Sequence, residues 1–390
     1  MIKTLAIANF RSIQELILPL QQLNIITGAN GSGKSNLYKS LHLLYDAAQG
    51  NVIQSLAREG GLNSVLWAGP EQISRRMRQG EISVQGTVRT KSLRLKMGFS
   101  GETFGYNIVL GRPEYVRGNP SAFALDPAIT HEAIWAGEYY SRSSVLTERK
   151  GAVITIKKGR QKEVLAQHTS NYESMLLQLG EYDSRCSEIM QVREFIKQWR
   201  FYDYFRTDRD SPARQPQLGT RTPVLHHDGH DLAAALQTII EIGDSDLLYE
   251  TIEDAFPGTS LEINTDDYFT VFLQQPGMLR PLSAKELSDG TLRYLMLSAA
   301  LLTPRPPSLL VLNEPENSLH SDLLPALARL IIRARKRSQI WVITHSKRLI
   351  NALELEVGTD CNLIELEKEF GQTTIKNQIY LETPVWQWSI

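Results

Sequence analysis

Apolar positions along the chain change their period several times, and each change marks an element. Residues 1–20 alternate apolar and polar side chains, which predicts two paired strands around Asn9-Phe10-Arg11-Ser12. Leu23 to Thr27 is a short apolar run, the pattern of a buried strand. Leu37, Leu41 and Leu44 follow at helical spacing, in a helix that ends near Gly50. From Ile82 to Leu110 the runs ISVQGTVRT, LRLKMGF and YNIVL predict antiparallel strands. A hairpin is expected around Val153-Ile154-Thr155-Ile156, and residues 171–205 read as helical. Asp208 to Thr222 reads as a polar loop. Leu232, Ala235, Leu236, Ile239 and Ile240 mark an amphipathic helix whose start is signalled by Asp228 and Asp231. Residues 260–275 return to strand character. Further on, Leu292, Leu295, Ala299 and Leu302 predict a helix opening at Gly290. Leu309 to Leu312 is a buried strand, Ser321 caps a helix bearing Leu323, Leu327, Leu330 and Ile331, and Ile340 to Thr344 is a second buried strand. Strand, helix and strand at this spacing imply a parallel sheet with right-handed crossovers.

Composition narrows the function classes. The chain has 390 residues, with 42 basic and 43 acidic side chains. Near-zero net charge gives no global attraction to nucleic acid, so any such surface is local. Arg75, Arg76 and Arg78, and a hairpin carrying Lys157, Lys158, Arg160 and Lys162, are the candidates. Cys186 and Cys361 have no ligand spacing and suggest a reducing compartment. The N-terminus reads as a strand, and the apolar stretch Tyr294 to Leu302 is too short to span a bilayer. The expectation is a cytoplasmic protein with no membrane partner. His226, His227, Asp228 and His230 look like a metal cluster, but their spacing matches no standard zinc motif, and a polar loop capping the next helix explains them about as well. Trp386 and Trp388 either pin the chain end to the core or dock a partner.

The chemistry concentrates in Gly28-Ala29-Asn30-Gly31-Ser32-Gly33-Lys34-Ser35, which fits G-x-x-x-x-G-K-[ST] between a strand and a helix. Glycines bring backbone N–H groups close to phosphates, and the helix N-terminus favours an anion. Lys34 is placed to reach the β- and γ-phosphates, and Ser35 to put its hydroxyl on Mg²⁺.

Further elements occur in a familiar order. Leu287-Ser288-Asp289-Gly290-Thr291 is similar to the LSxGx signature. Asn313-Glu314 stands at the Walker B position, Pro315-Glu316-Asn317-Ser318-Leu319-His320 at the D-loop, and Thr344-His345-Ser346 at the switch histidine. With Ile7-Ala8-Asn9-Phe10-Arg11-Ser12 and the loop ending in Asn36, the chain resembles RecF/SMC-like ABC-type ATPases, closest to stand-alone bacterial AAA-family ATPases of the RecF-like and OLD-like group. The resemblance implies an α/β ABC-type P-loop ATPase head with a mixed sheet, an antiparallel β subdomain and an inserted helical lobe. Residues 1–110 and 261–390 would be the two halves of the head, and 111–260 the insertion.

It also implies ATP and Mg²⁺, and a homodimer in which two heads sandwich two nucleotides. Gly28, Asn30, Gly31, Ser32, Gly33, Lys34, Ser35 and Asn36 would hold the phosphates, and Arg11 would approach the nucleotide or nearby DNA. Ser288 and Gly290 of one chain would face the γ-phosphate on the other. Glu314 would be the general base and His345 the γ-phosphate sensor, with Ser35 and Asn313 at the metal. The expected partners are DNA or an effector protein from a neighbouring gene, in DNA repair or anti-phage defence. One departure is Asn313, where the family has Asp: the acceptor oxygen stays and the negative charge is lost. Gln54 follows the loop helix without a clear preceding strand and is not assigned as a Q-loop. Glu316 is expected in a D-loop or surface role in preference to that of a second catalytic acid, and His320, with no His or Cys at ligand spacing, as a loop histidine rather than a metal ligand. The competing functions are a nucleotide-gated scaffold with little hydrolysis, motivated by Asn313, and a transporter nucleotide-binding subunit.

Overall fold

The computed structural model describes residues 1–71, 73–79, 81–83, 92–113, 123, 126–159, 161–178, 187–358, 360–378 and 383–389. Two compact units divide them, one made of 1–21, 28–198 and 364–390, the other of 22–27 and 199–363.

The first unit is built on an eight-stranded antiparallel sheet. Its strands are β1 (Ile2–Phe10), β2 (Ile13–Pro19), β4 (Leu95–Gly101), β5 (Phe104–Gly111), β6 (Ala128–Ala136), β7 (Val145–Lys150), β8 (Val153–Lys158) and β9 (Gln161–Ala166), in the order β2-β1-β4-β5-β6-β7-β8-β9. The predicted pairing about Asn9–Ser12 is present, with Phe10 opposite Ile13. Residues 84–91, expected as a strand, lie outside the described residues. Where the pattern showed one hairpin, β6 to β9 form a four-strand meander. Its alternation is obscured by buried polar groups: Glu132 pairs with Arg149 at 3.1 Å with both side chains fully buried, and Tyr106 donates to Glu132 at 2.7 Å. Helices α1 (Lys34–Gln49), α2 (Val52–Arg58), α3 (Leu62–Val65), α4 (Arg75–Arg78), α5 (Met175–Gln178) and α6 (Ser187–Lys197) complete the unit with a late hairpin, β16 (Asn362–Glu369) and β17 (Gln372–Ile375). Along α1, Leu37, Leu41 and Leu44 are buried, and Gly50 ends it in the left-handed conformation that glycine adopts without a Cβ penalty. The chain end is pinned here. Trp386 stacks edge-on against Trp135 at 5.6 Å, and Ser389 bonds His131 at 2.9 Å and Asn107 at 2.6 Å.

The second unit carries four parallel strands in the order β10-β14-β15-β3, where β3 is Leu23–Gly28, β10 Arg200–Tyr202, β14 Leu309–Asn313 and β15 Gln339–Ile343. Burial on both faces explains the uninterrupted apolar runs. Arg200–Tyr202 was expected to be helical and is a strand. Three residues are too few to display a period, and the buried Phe201 and Tyr202 side chains suit a sheet. Helices α7 (Leu232–Ile242), α8 (Ser245–Ala255), α9 (Asp289–Leu301), α10 (Leu324–Ala334) and α11 (Lys347–Val357) surround this sheet, with a three-stranded β11 (Ser260–Asn264), β12 (Thr270–Gln274), β13 (Leu282–Ser283). Ser321 opens a 3-10 turn before α10, and the capping side chain there is His320. Among the described residues no helix is long and apolar enough to cross a membrane.

Candidate nucleotide site

In the first unit, the phosphate loop is shaped by two glycines that admit no side chain. Gly28 has φ +145° and Gly33 φ +112°. A methyl on Gly28 would strike the Leu366 carbonyl, and one on Gly33 would strike the Thr373 side chain. Thr373, on β17, holds the loop in place. Its hydroxyl donates to the Ser32 carbonyl at 2.9 Å and lies 2.7 Å from Ser12 Oγ. Asn36 donates to the same Ser12 hydroxyl at 2.7 Å. Lys34 Nζ folds onto the loop, donating to the carbonyls of Gly28 at 2.6 Å and Ala29 at 3.1 Å. Ser32 Oγ is buried with no hydrogen-bond partner. A buried hydroxyl without an acceptor, in a glycine-shaped turn at a helix N-terminus, fits an oxyanion such as phosphate. Asn30 and Gly31 are exposed, and Ser35 stands in the first turn of α1. Arg11, in a left-handed backbone at φ +51°, turns its guanidinium to the Glu59 carboxylate, which also accepts from Lys39 at 2.8 Å. The Lys39 bond, opposed by burial and joined by Arg11, holds the Glu59 carboxyl below its usual range.

In the second unit, the ends of β14 and β15 gather the acidic residues. Asn313 pairs with Ile343 across these strands. Glu314 follows at φ +48°, an uncommon left-handed backbone for a non-glycine residue. Its side chain is fixed at both oxygens: Asn317 donates to Oε2 at 2.9 Å, and His345 Nδ1 lies 3.4 Å from Oε1. Its carbonyl accepts from the buried Arg293 at 3.1 Å. Glu316 corrects the expectation of a surface role, because its side chain is only 8 % exposed. It accepts from the Thr344 hydroxyl, lies 3.8 Å from His345 Nδ1, and keeps Oε2 buried without a partner. Thr344 in turn accepts from the Ser346 N–H at 3.0 Å, so one carboxylate, one hydroxyl and one histidine brace the start of α11. The structure thus brings Glu314 and His345 together, and adds Glu316.

The signature segment has a support that no local pattern revealed. Ser288 caps α9 by accepting from Thr291 N–H at 3.1 Å, and Gly290 leaves room for the Ser318 carbonyl. Arg214, buried in what reads as a polar loop, spreads its guanidinium beneath this segment. Nη1 donates to the carbonyls of Ala284 at 2.8 Å and Leu287 at 2.7 Å, and Nη2 to Asp289 at 2.7 Å and Thr207 O at 2.9 Å. A planar fork serving several acceptors is a task lysine cannot repeat. Arg214→Ala is expected to cost about 3–5 kcal/mol, with Arg214→Lys recovering less than half, because buried carbonyls and an acid lose their donors. Denaturant unfolding of the three proteins measures this, and equal midpoints would remove Arg214 from the account.

Three of the predicted basic side chains, Arg76, Lys158 and Lys162, meet acids. Lys162 bonds Glu148 at 2.9 Å, Lys158 lies 3.6 Å from Glu163, Lys157 donates to the Ser143 carbonyl, and Arg76 bonds Glu81 at 3.1 Å. Arg160 lies outside the described residues.

The family described as "AAA domain, putative AbiEii toxin, Type IV TA system" matches residues 23–351. No curated protein matches by sequence. Among solved structures, that of the SmcHead bound to the C-winged helix domain of ScpA superposes with a TM-score of 0.50 at 14 % identity, covering 96 % of this chain and 97 % of that one. Two more are an Smc head domain with an extended coiled coil, bound to the C-terminal domain of ScpA, derived from Pyrococcus furiosus (TM-score 0.48, 13 % identity, 96 % and 95 % covered), and the SMC head domain from Thermotoga maritima (0.43, 15 %, 96 % and 98 %). The similarity to the first of these is one of fold: an ABC-type P-loop ATPase head.

Proposed function

Because the chain belongs to the AAA-domain family described as a putative AbiEii toxin of a type IV TA system, and has the fold of an SMC-type head, we propose that it is an ATPase that dimerises head-to-head around ATP and acts with an effector protein or DNA, in anti-phage defence or DNA repair. The observation that carries this reading is the loop cradle, where Gly28 and Gly33 have no space for a Cβ and Ser32 holds an unpartnered hydroxyl. Backbone N–H groups of residues 31–35 and Lys34 take the phosphates, and Arg11 approaches the nucleotide. Ser35 and Asn313 hold Mg²⁺, which when bound neutralises phosphate charge. Glu314 orients the attacking water, and His345, steadied by Glu314 and Glu316, reads the γ-phosphate. Ser288 and Gly290 complete the partner chain's site. Phosphoryl transfer asks mainly for positioning and charge neutralisation, which these groups supply. The pairing of the hairpin lysines with acids supports a protein effector over DNA as the partner.

Asn313 supports a slow enzyme. A metal-site carboxylate is worth a few kcal/mol, roughly two decades if fully expressed, and the amide oxygen recovers part of that. Asn313→Asp is therefore expected to raise turnover by about tenfold at limiting Mg²⁺ and less at saturation. ATPase rate against Mg²⁺ concentration, for the natural chain, Asn313→Asp, Glu314→Gln and Lys34→Ala, tests the proposal. Turnover of the natural chain equal to Glu314→Gln, with DNA and effector supplied, would favour a nucleotide-gated scaffold instead.

A further inference from the structure

Three of the chain's eight histidines lie in one five-residue turn, His226-His227-Asp228-Gly229-His230. The capping role expected of the turn is not seen, since the N-cap residue Asp231 makes no side-chain cap bond to the following helix; instead the turn bonds to itself, His226 N–H donating to Asp231 at 3.0 Å and His230 N–H to Asp228 at 3.1 Å. Its side chains also converge. His226 Nδ1 and His230 Nδ1 each lie 2.7 Å from the same oxygen, Asp228 Oδ1. One ligand atom from each of the three residues falls within 4.8 Å of the others. The His227 ring stacks on His226 with centroids 4.1 Å apart.

The backbone cannot splay. Gly229 has φ +73° and lies so close to Met296 on α9 and to Phe205 that a methyl there would press on the Met296 sulfur. Leu225 and Leu232, on either side, are fully buried. The donors are therefore gathered before any ligand arrives, which reduces the ordering cost of binding one. The three ligand side chains are about half exposed, leaving room for water on the outer side.

We propose that His226, Asp228 and His230 form a binding site for a divalent transition-metal ion, with zinc the best chemical fit. Two imidazole nitrogens and one carboxylate oxygen suit Zn²⁺, Co²⁺ or Ni²⁺, whereas Mg²⁺ prefers oxygen ligands and keeps its water. Each imidazole would coordinate through Nδ1 in place of its present bond to Asp228, with the ring proton carried on Nε2. Water fills the remaining positions. The ion would stiffen the turn that bears on α9, and so the support beneath the signature segment.

The test uses the full chain, stripped with chelator and free of any affinity tag, titrated with Zn²⁺ by calorimetry and with Co²⁺ by visible absorption. One ion per chain is expected. His226→Ala and His230→Ala should each weaken binding at least tenfold, and so should Asp228→Asn, which keeps the acceptor for His230 N–H and hence the turn. Thermal melting confirms that the variants fold. No saturable binding, equal affinity in the variants, or a Co²⁺–thiolate band that assigns the ion to a cysteine would each overturn the proposal. These outcomes are independent of whether the chain hydrolyses ATP.

Discussion

Glu314→Gln is expected to lower ATP turnover by about two to four decades while ATP still binds. The substitution keeps the size of the side chain and its acceptor for Asn317, so the turn should persist. It removes basicity at a group whose position is closely defined. The left-handed backbone of Glu314, the Arg293 bond to its carbonyl and the nearby His345 all constrain where the carboxylate points. A residue held in sparsely populated backbone needs surrounding support, and such positions cluster at functional sites. Uncleaved ATP should then accumulate and lengthen the life of a head-to-head dimer. Single-turnover kinetics and light scattering on the same samples give both readings. A rate within about threefold of the natural chain would assign the base elsewhere, with Glu316 the first alternative.

The second large effect is expected at Gly33. Gly33→Ala must place a methyl at φ +112° and against the Thr373 side chain, whose hydroxyl also ties Ser32 and Ser12. Strain of this kind costs about 1–3 kcal/mol before the collision is added, so nucleotide affinity should fall by about a hundredfold. Gly31→Ala is the matched control. Gly31 also has positive φ, +80°, but open space where a Cβ would go, and should lose much less. Thr373→Ala clears the collision but also removes the brace, so Gly33→Ala should cost less in a Thr373→Ala background than in the natural chain. Titration with a fluorescent ATP analogue measures all five proteins. Equal losses at Gly31 and Gly33 would mean that backbone conformation alone matters and the Thr373 contact does not.

Local pattern carried the elements whose causes are local. The loop motif, the α1 stripe and the apolar runs of β14 and β15 each announce themselves within a dozen residues, and each is present. Glu314 and His345 were identified because their neighbours in sequence form a motif, and the structure sets them side by side. Arg214 and Thr373 had no such signal. Arg214 serves carbonyls some seventy positions away (Nη1 to Ala284 and Leu287, |i−j| of 70 and 73), and nothing in Ser-Pro-Ala-Arg distinguishes a buried fork from a solvated loop. The surface reading of Glu316 fails for a related reason: a glutamate in a polar run is usually exposed, and only the Thr344 hydroxyl, just past the end of β15, reveals why it is not. The strand at Arg200–Tyr202 shows the limit of periodicity itself, since its identity comes from a parallel partner more than a hundred residues later.

Thr373 has one further consequence, which concerns synthesis. The loop it steadies is translated before its brace, and the residue that steadies it emerges from the ribosome 341 positions after Ser32. A nascent chain that has reached residue 363 already holds the whole of the second unit, with Glu314 and His345, yet lacks the last segment of the first. Premature termination there would leave a fragment whose phosphate loop has lost its brace. Nucleotide capture is thus tied to synthesis past Thr373, and products that stop short of it should be inert toward ATP rather than partly active.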